Sequence, residues 1–274
     1  MHTTDAVLAT FELTEIDTDR YTAPNLDGHA VVFGGQLLAQ SILAALRGND
    51  GMVVKTIHTV FPRAGRHDAP VEIDVDRMHA GRSFASSTIT IHQGDRLITR
   101  SSVLMSATED DLIRHADKPP RPSSPDGQPG SSEPESWQFR FVDGVDIVDP
   151  DAVGPAELDV WTRFDGAPAD PVTGQALLSF ATDGFLIGTA MRPHAGVGQA
   201  QAHKTLSTGV LSHTLTFHEP VDAGAWMVMA NESPYAGHGR AYGRADVFDV
   251  DGRLLASFVQ DSMIRPLQQN SSGL

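Results

Sequence analysis

The 274-residue chain contains no cysteine, which removes disulfides, thiolate nucleophiles and thiolate metal sites together. Any covalent nucleophile must therefore be Ser, Thr or a carboxylate. No apolar run approaches the roughly 20 residues of a membrane helix. The opening Met1-His2-Thr3-Thr4-Asp5 lacks the basic and apolar regions of a signal peptide. The expectation is a soluble cytoplasmic protein with no membrane partner. Positive charge is scarce: 20 Lys and Arg stand against 35 Asp and Glu, a formal charge of -15 that repels nucleic acid and anionic membrane surfaces. A polyanionic ligand would need a local cluster drawn from residues such as Arg63, Arg82, Arg240 and Arg244.

Several motifs are missing too. Gly34-Gly35 is not part of a GxGxxG or P-loop pattern, and no GxSxG nucleophile elbow occurs. The chain has 12 histidines, yet His58, His213 and His218 show no metal-ligand spacing, so they are expected to be structural or surface residues. No metal or cofactor is expected. Asp27 and His29, in the loop ahead of the first helix, can at most edge a pocket.

What is present is a duplication. Hydrophobic residues make up 40% of the chain and charged residues 20%, enough to build a packed core. Near the middle, Lys118-Pro119-Pro120-Arg121-Pro122-Ser123-Ser124-Pro125-Asp126-Gly127 reads as a linker, because Pro removes donors while Ser and Gly raise the entropy of ordering. The expected division is 1–110, a linker over 111–150, and 151–274.

On either side the landmarks repeat. Gly81-Arg82-Ser83-Phe84 is answered by Gly239-Arg240-Ala241-Tyr242, the turn at Asp95-Arg96-Leu97 by Gly252-Arg253-Leu254, and Phe61 by Phe217. The spacing stays between 156 and 158 residues (217 less 61, 253 less 96, 239 less 81). Alternating runs such as Val71-Glu72-Ile73-Asp74-Val75-Asp76 predict an antiparallel meander in each half. An apolar helix precedes each meander, expected at Gln36–Leu46 and at Phe185–Met191. A sheet wrapped around a central helix, occurring twice, is an α+β double hotdog.

Val32-Phe33-Gly34-Gly35-Gln36, Gly81-Arg82-Ser83-Phe84, Trp161-Thr162-Arg163, Thr182-Asp183, Phe217-His218-Glu219-Pro220 and Val259-Gln260-Asp261, in this order, resemble the acyl-CoA thioesterase II family of the TesB type. The resemblance implies a double hotdog that hydrolyses acyl-CoA thioesters, with an Asp, a Thr or Ser and a Gln holding the attacking water. The Asp carries over to Asp183 and the Gln to Gln260. The hydroxyl position falls on Val210, which cannot hydrogen-bond a water. Thr208 and Ser212 lie two residues to either side, and Thr208 is taken as the substitute.

The residues themselves leave alternatives open. Asp183 is expected to open the second helix, as an N-cap or as a carboxylate beside free N–H groups that also serve an oxyanion. Gln260 follows Leu254, Ala256 and Phe258 on the inward face of a strand, so it is either a satisfied core amide or a water-holding group. The 157 offset sets Gln260 against Val103, and aligning Phe33 with Phe180 sets Asp183 against Gln36, so the chemistry is placed in the second half. Backbone N–H groups at Gly34, Gly35 and Gly184, with Arg82, are expected to bind substrate. Two other functions compete: a noncatalytic acyl-CoA-binding protein, and a hotdog enoyl-CoA hydratase. Exposed sheet edges make a homo-oligomer a further expectation.

Overall fold

The computed structural model describes residues 2–28, 31–117, 124–131 and 133–267. His29, the proline-rich run 118–123 and Ser132 therefore lie outside the described residues. Up to the linker the chain forms α1 (Thr4–Ala9), β1 (Thr14–Asp17), β2 (Arg20–Ala23), α2 (Gly34–Leu46), β3 (Met52–Val60), β4 (Val71–Ala80), β5 (Phe84–Gln93) and β6 (Arg96–Ala107). Beyond it come β7 (Trp137–Phe141), β8 (Glu157–Phe164), α3 (Pro171–Thr182), α4 (Leu186–Met191), β9 (Leu206–Phe217), β10 (Met227–Gly237), β11 (Arg240–Asp249) and β12 (Leu254–Pro266). Strand β7 falls inside the stretch expected as linker and pairs with β8, Phe139 facing Thr162.

All strands join one sheet in the order β1-β2-β4-β5-β6-β3-β9-β12-β11-β10-β8-β7. Read outward from its centre, each half has the same sequence of strands, so the duplication is visible in the topology. The halves meet where β3 pairs antiparallel with β9, Thr56 opposite Thr216. Helices α2 and α3 pack together in a core shared by both halves, with Leu37, Leu38, Ile42, Leu177, Leu178 and Phe180 all buried. Each such side chain contributes about 1.5–3 kcal/mol on burial.

The second central helix is Pro171–Thr182, not Phe185–Met191. Asp170 caps it, its carboxylate accepting from Thr173 N–H at 2.9 Å, and Pro171 occupies the first turn, where no N–H is needed. Gly35-Gln36 in α2 corresponds to Gly174-Gln175 in α3, 139 residues apart (174 less 35). This is shorter than the strand spacing because the second half inserts α4 between its helix and β9. On the helix spacing Asp183 stands against Ala44 rather than Gln36.

The two glycines have a shared reason. A Cβ on Gly35 would lie 2.1 Å from the Phe180 carbonyl oxygen, and one on Gly174 would lie 2.0 Å from that of Val221. Only glycine permits these approaches. The N-terminus of α2 therefore sits directly against the C-terminus of α3, with Phe33 and Phe180 in edge contact at 4.9 Å.

Candidate active site

Asp183 closes α3 rather than opening a helix: it is the C-cap residue, in right-handed helical geometry. Its carboxylate nevertheless meets a helix N-terminus, that of α2 in the other half. Gly35 N–H donates to Oδ2 at 3.1 Å, and Gly34 N–H also holds the group. A side chain at Gly34 would come within 2.7 Å of Oδ2, so the glycine pair admits the carboxylate to the positive end of α2. Desolvation is the larger influence, and it pushes the carboxyl up to about 7 against the two N–H contacts.

Gly184, expected as a free donor, is not one. Its N–H donates to the Ala181 carbonyl at 3.1 Å, and the residue packs on Trp137.

Gln260 in β12 is buried and touches the carboxylate from behind. Its Nε2 donates to Asp183 Oδ1 at 3.3 Å and lies 3.2 Å from His213 Nδ1. Its Oε1 has no hydrogen-bond partner among the described residues. His213 Nε2 lies 3.1 Å from the hydroxyl of Thr182. Burial, reinforced by His58, drives the His213 imidazole down to about 3, so the ring is neutral at physiological pH. Nothing singled His213 out in the sequence except that it shares the inward face of β9 with Leu215 and Phe217, opposite Gln260.

The open face of Asp183 lines a cavity of about 470 Å³ whose walls are mostly apolar, among them Val32, Leu37, Phe61, Ile187 and Met263. A larger cavity, about 550 Å³, occupies the equivalent place at the other end of the seam, lined by Pro171, Gln175, Lys55 and Phe217. Size is a poor guide here. In the larger cavity the facing helix N-terminus is that of α3, already closed by the Asp170 cap and the Pro171 ring. Of the two, the smaller one has its helix N–H groups held by a carboxylate from the other half of the chain, Asp183, rather than by the helix's own cap.

Strand β9 carries a bulge beside this cavity: Asp261 pairs with Ser212 and Ser262 with Val210, leaving Leu211 extra. Its carbonyl accepts from Phe61 N–H at 2.9 Å. The bulge shifts the parity of the strand, so Thr208 and Val210 both face the cavity while His213 still points to the core. Ser212 is turned away, its hydroxyl donating to Asp261 at 2.9 Å. Of the two hydroxyls flanking Val210, only that of Thr208 reaches the cavity wall.

The expected substrate contact at Arg82 is not brought to this cavity. It sits in the β4–β5 turn, where Ser83 O accepts from Ala107 N–H, beside the Met52 end of β3. The cavity opens past the opposite end of β3, roughly 30 Å away along nine residues of strand. Arg63 lines the cavity instead, and no ion partner is found for it among the described residues.

A family model described as the acyl-CoA thioesterase N-terminal domain matches residues 22–108, and one described as the acyl-CoA thioesterase C-terminal domain matches 116–264. Acyl-CoA thioesterase 2 of Haemophilus influenzae is 26% identical over 265 residues, covering 87% of this chain and 89% of that protein. Human acyl-coenzyme A thioesterase 8 is 24% identical over 267 residues, covering 88% and 82%. The crystal structure of the acyl-CoA thioesterase II TesB2 of Mycobacterium marinum superimposes with a TM-score of 0.80 at 25% identity, covering 98% of this chain and 99% of that one. With both halves matched and the duplicated sheet as their frame, this chain belongs to the TesB-type acyl-CoA thioesterase II family, thioester hydrolases with the double hotdog fold.

Proposed function

We propose that the chain hydrolyses acyl-CoA to a free carboxylic acid and CoA by way of a water activated by Asp183, with Gln260 fixing the carboxylate and Thr208 supplying the hydroxyl. The observation that carries this reading is the contact between Gln260 Nε2 and Asp183 Oδ1 at 3.3 Å, in the wall of a cavity that Asp183 faces. A carboxyl near 7 suits a general base, because it is substantially ionised at neutral pH yet basic enough to take a proton.

In this scheme Asp183 removes a proton from the water, whose oxygen attacks the thioester carbonyl carbon. As Asp183 becomes protonated it gives up its negative charge, and the positive end of α2 that had stabilised it faces the developing oxyanion. The C–S bond then breaks, and the proton held by Asp183 passes to the leaving thiolate. The Thr208 hydroxyl, in the cavity wall, is the remaining group to orient the water. Arg63 is the cation placed to meet a CoA phosphate, and the apolar wall accepts the acyl chain.

The test is thiol release from saturated acyl-CoAs of several lengths, with enoyl-CoA consumption followed separately. Asp183→Asn is expected to lower thiol release by about 10²- to 10⁴-fold, the usual cost of losing a general base. Unchanged turnover in that variant rejects the assignment. Loss of the enoyl group without thiol release points instead to a hydratase.

A further inference from the structure

The buried polar chain behind Asp183 has a direction that can be read from its far end. Ser179 contributes a backbone carbonyl, which only accepts, so the Thr182 hydroxyl at 2.8 Å must donate to it. Thr182 Oγ1 is then the acceptor for His213 Nε2 at 3.1 Å, which puts the imidazole proton on Nε2. His213 Nδ1 is left as a bare lone pair 3.2 Å from the Gln260 amide, and only the NH₂ end of that amide can satisfy it. The same NH₂ group has a second proton, which goes to Asp183 Oδ1. Phe258 stacks on the imidazole with ring centroids 5.4 Å apart and planes inclined by 16°, which holds the ring against rotation.

We propose that His213 is a positioning residue for hydrolysis: as the Nε2–H tautomer it sets the orientation of the Gln260 amide, aiming Nε2 at Asp183 and Oε1 away from it. The reversed amide would point its oxygen at both a carboxylate and a lone pair. This inference rests on the role of Gln260 proposed above.

The first half supplies a control within the molecule. There, the positions equivalent to His213 and Gln260 are Ile57 and Val103, which face one another across β3 and β6 just as His213 faces Gln260 across β9 and β12. Both are fully or almost fully buried. The sheet thus packs well at this site with two apolar side chains. The pair of polar groups, with its cost of desolvation, occurs together, and only beside the carboxylate.

The experiment is a cycle of variants read by kcat and KM for thiol release from one acyl-CoA. His213→Leu is expected to lower kcat by about 10- to 100-fold, the scale of a misplaced catalytic contact, with KM changed less than threefold. His213→Asn, whose amide oxygen can replace Nδ1 as acceptor, should stay within about threefold of the parent. The His213→Leu, Gln260→Ala double variant should match Gln260→Ala alone, because the histidine acts only through the amide. Additive losses, or equal damage from Leu and Asn, overturn the inference while leaving the role of Gln260 intact. Wild-type turnover in Gln260→Ala defeats the role of Gln260 itself, and this inference with it. If His213→Leu does not fold, ¹⁵N shifts of the imidazole in the unaltered protein decide: a proton on Nε2 and none on Nδ1 near neutral pH is expected, and a proton on Nδ1 overturns it.

Discussion

The carboxylate of Asp183 belongs to the second half of the chain, yet it is held by the N–H of Gly35 in the first, at 3.1 Å across a separation of 148 residues. The site is thus a property of the seam between the copies. The C-terminus of one central helix delivers the acid and the N-terminus of the other receives it.

Gly35 should tolerate nothing larger. Alanine there would press its Cβ to 2.1 Å from the Phe180 carbonyl oxygen, which is backbone and cannot swing aside. Gly35→Ala is expected to destabilise the fold by about 3 kcal/mol or more, at the upper end of what overpacking costs. Denaturant midpoints measure this, and a loss below 1 kcal/mol would contradict the packing described.

Activity should rise with pH. Asp183 must be ionised to take a proton, and its carboxyl sits at about 7, so kcat/KM is expected to climb through pH 7 and level off above it. His213, held down to about 3, adds no second limb near neutrality. A rate that stays flat from pH 5 to 8 would show that another group is the base.

The same displaced carboxyl makes a prediction about stability. Asp183 has an ordinary value of 3.8 that folding raises to about 7, so between these values the folded state binds the proton more tightly than the unfolded chain does. Stability from this group is greatest at low pH and falls as pH rises through that window. Asp183→Asn removes the penalty, and its melting temperature should gain on that of the parent between pH 5 and pH 8, by the equivalent of on the order of 2 kcal/mol. Parallel melting curves at the two pH values would refute this.

Thr208 and Val210 share the cavity wall, and the bulge at Leu211 places them there. If Thr208 supplies the hydroxyl, Thr208→Val should lower kcat by about 3- to 10-fold, the worth of one hydrogen bond in the transition state. Adding Val210→Thr to that variant should recover part of the loss. No effect of either change on thiol release would remove the hydroxyl from the mechanism.

Much of this protein is written locally. The alternation of apolar and polar residues, the Gly-rich turns and the near-constant spacing from Phe61 to Phe217 established the duplication and the two meanders, because strand pattern and turn chemistry act over a few residues. The inward direction of Gln260 followed from the parity of Leu254, Ala256 and Phe258. The second central helix was misplaced for an equally local reason. Phe185–Met191 is the more apolar run, while Pro171–Thr182 carries Thr173, Gln175 and Ser179 among its apolar residues and is marked chiefly by the Asp170-Pro171 start signal, which the sequence reading does not use.

Other features could only come from packing. Which N–H groups Asp183 would meet depended on two helix termini far apart in sequence, brought together by glycines that leave room for backbone against backbone. The burial that raises its carboxyl, the bulge that turns Thr208 inward, and the opposition of His213 to Gln260 depend likewise on how β9 and β12 register. Arg82 shows the limit from the other side: its motif repeats faithfully, but the length of β3 places it at the far end of the sheet. Sequence determined the repeated elements and the residue types available for chemistry. Tertiary structure decided which of them share a cavity, since solvent exclusion and approach distance are set by contacts between segments that the chain order keeps apart.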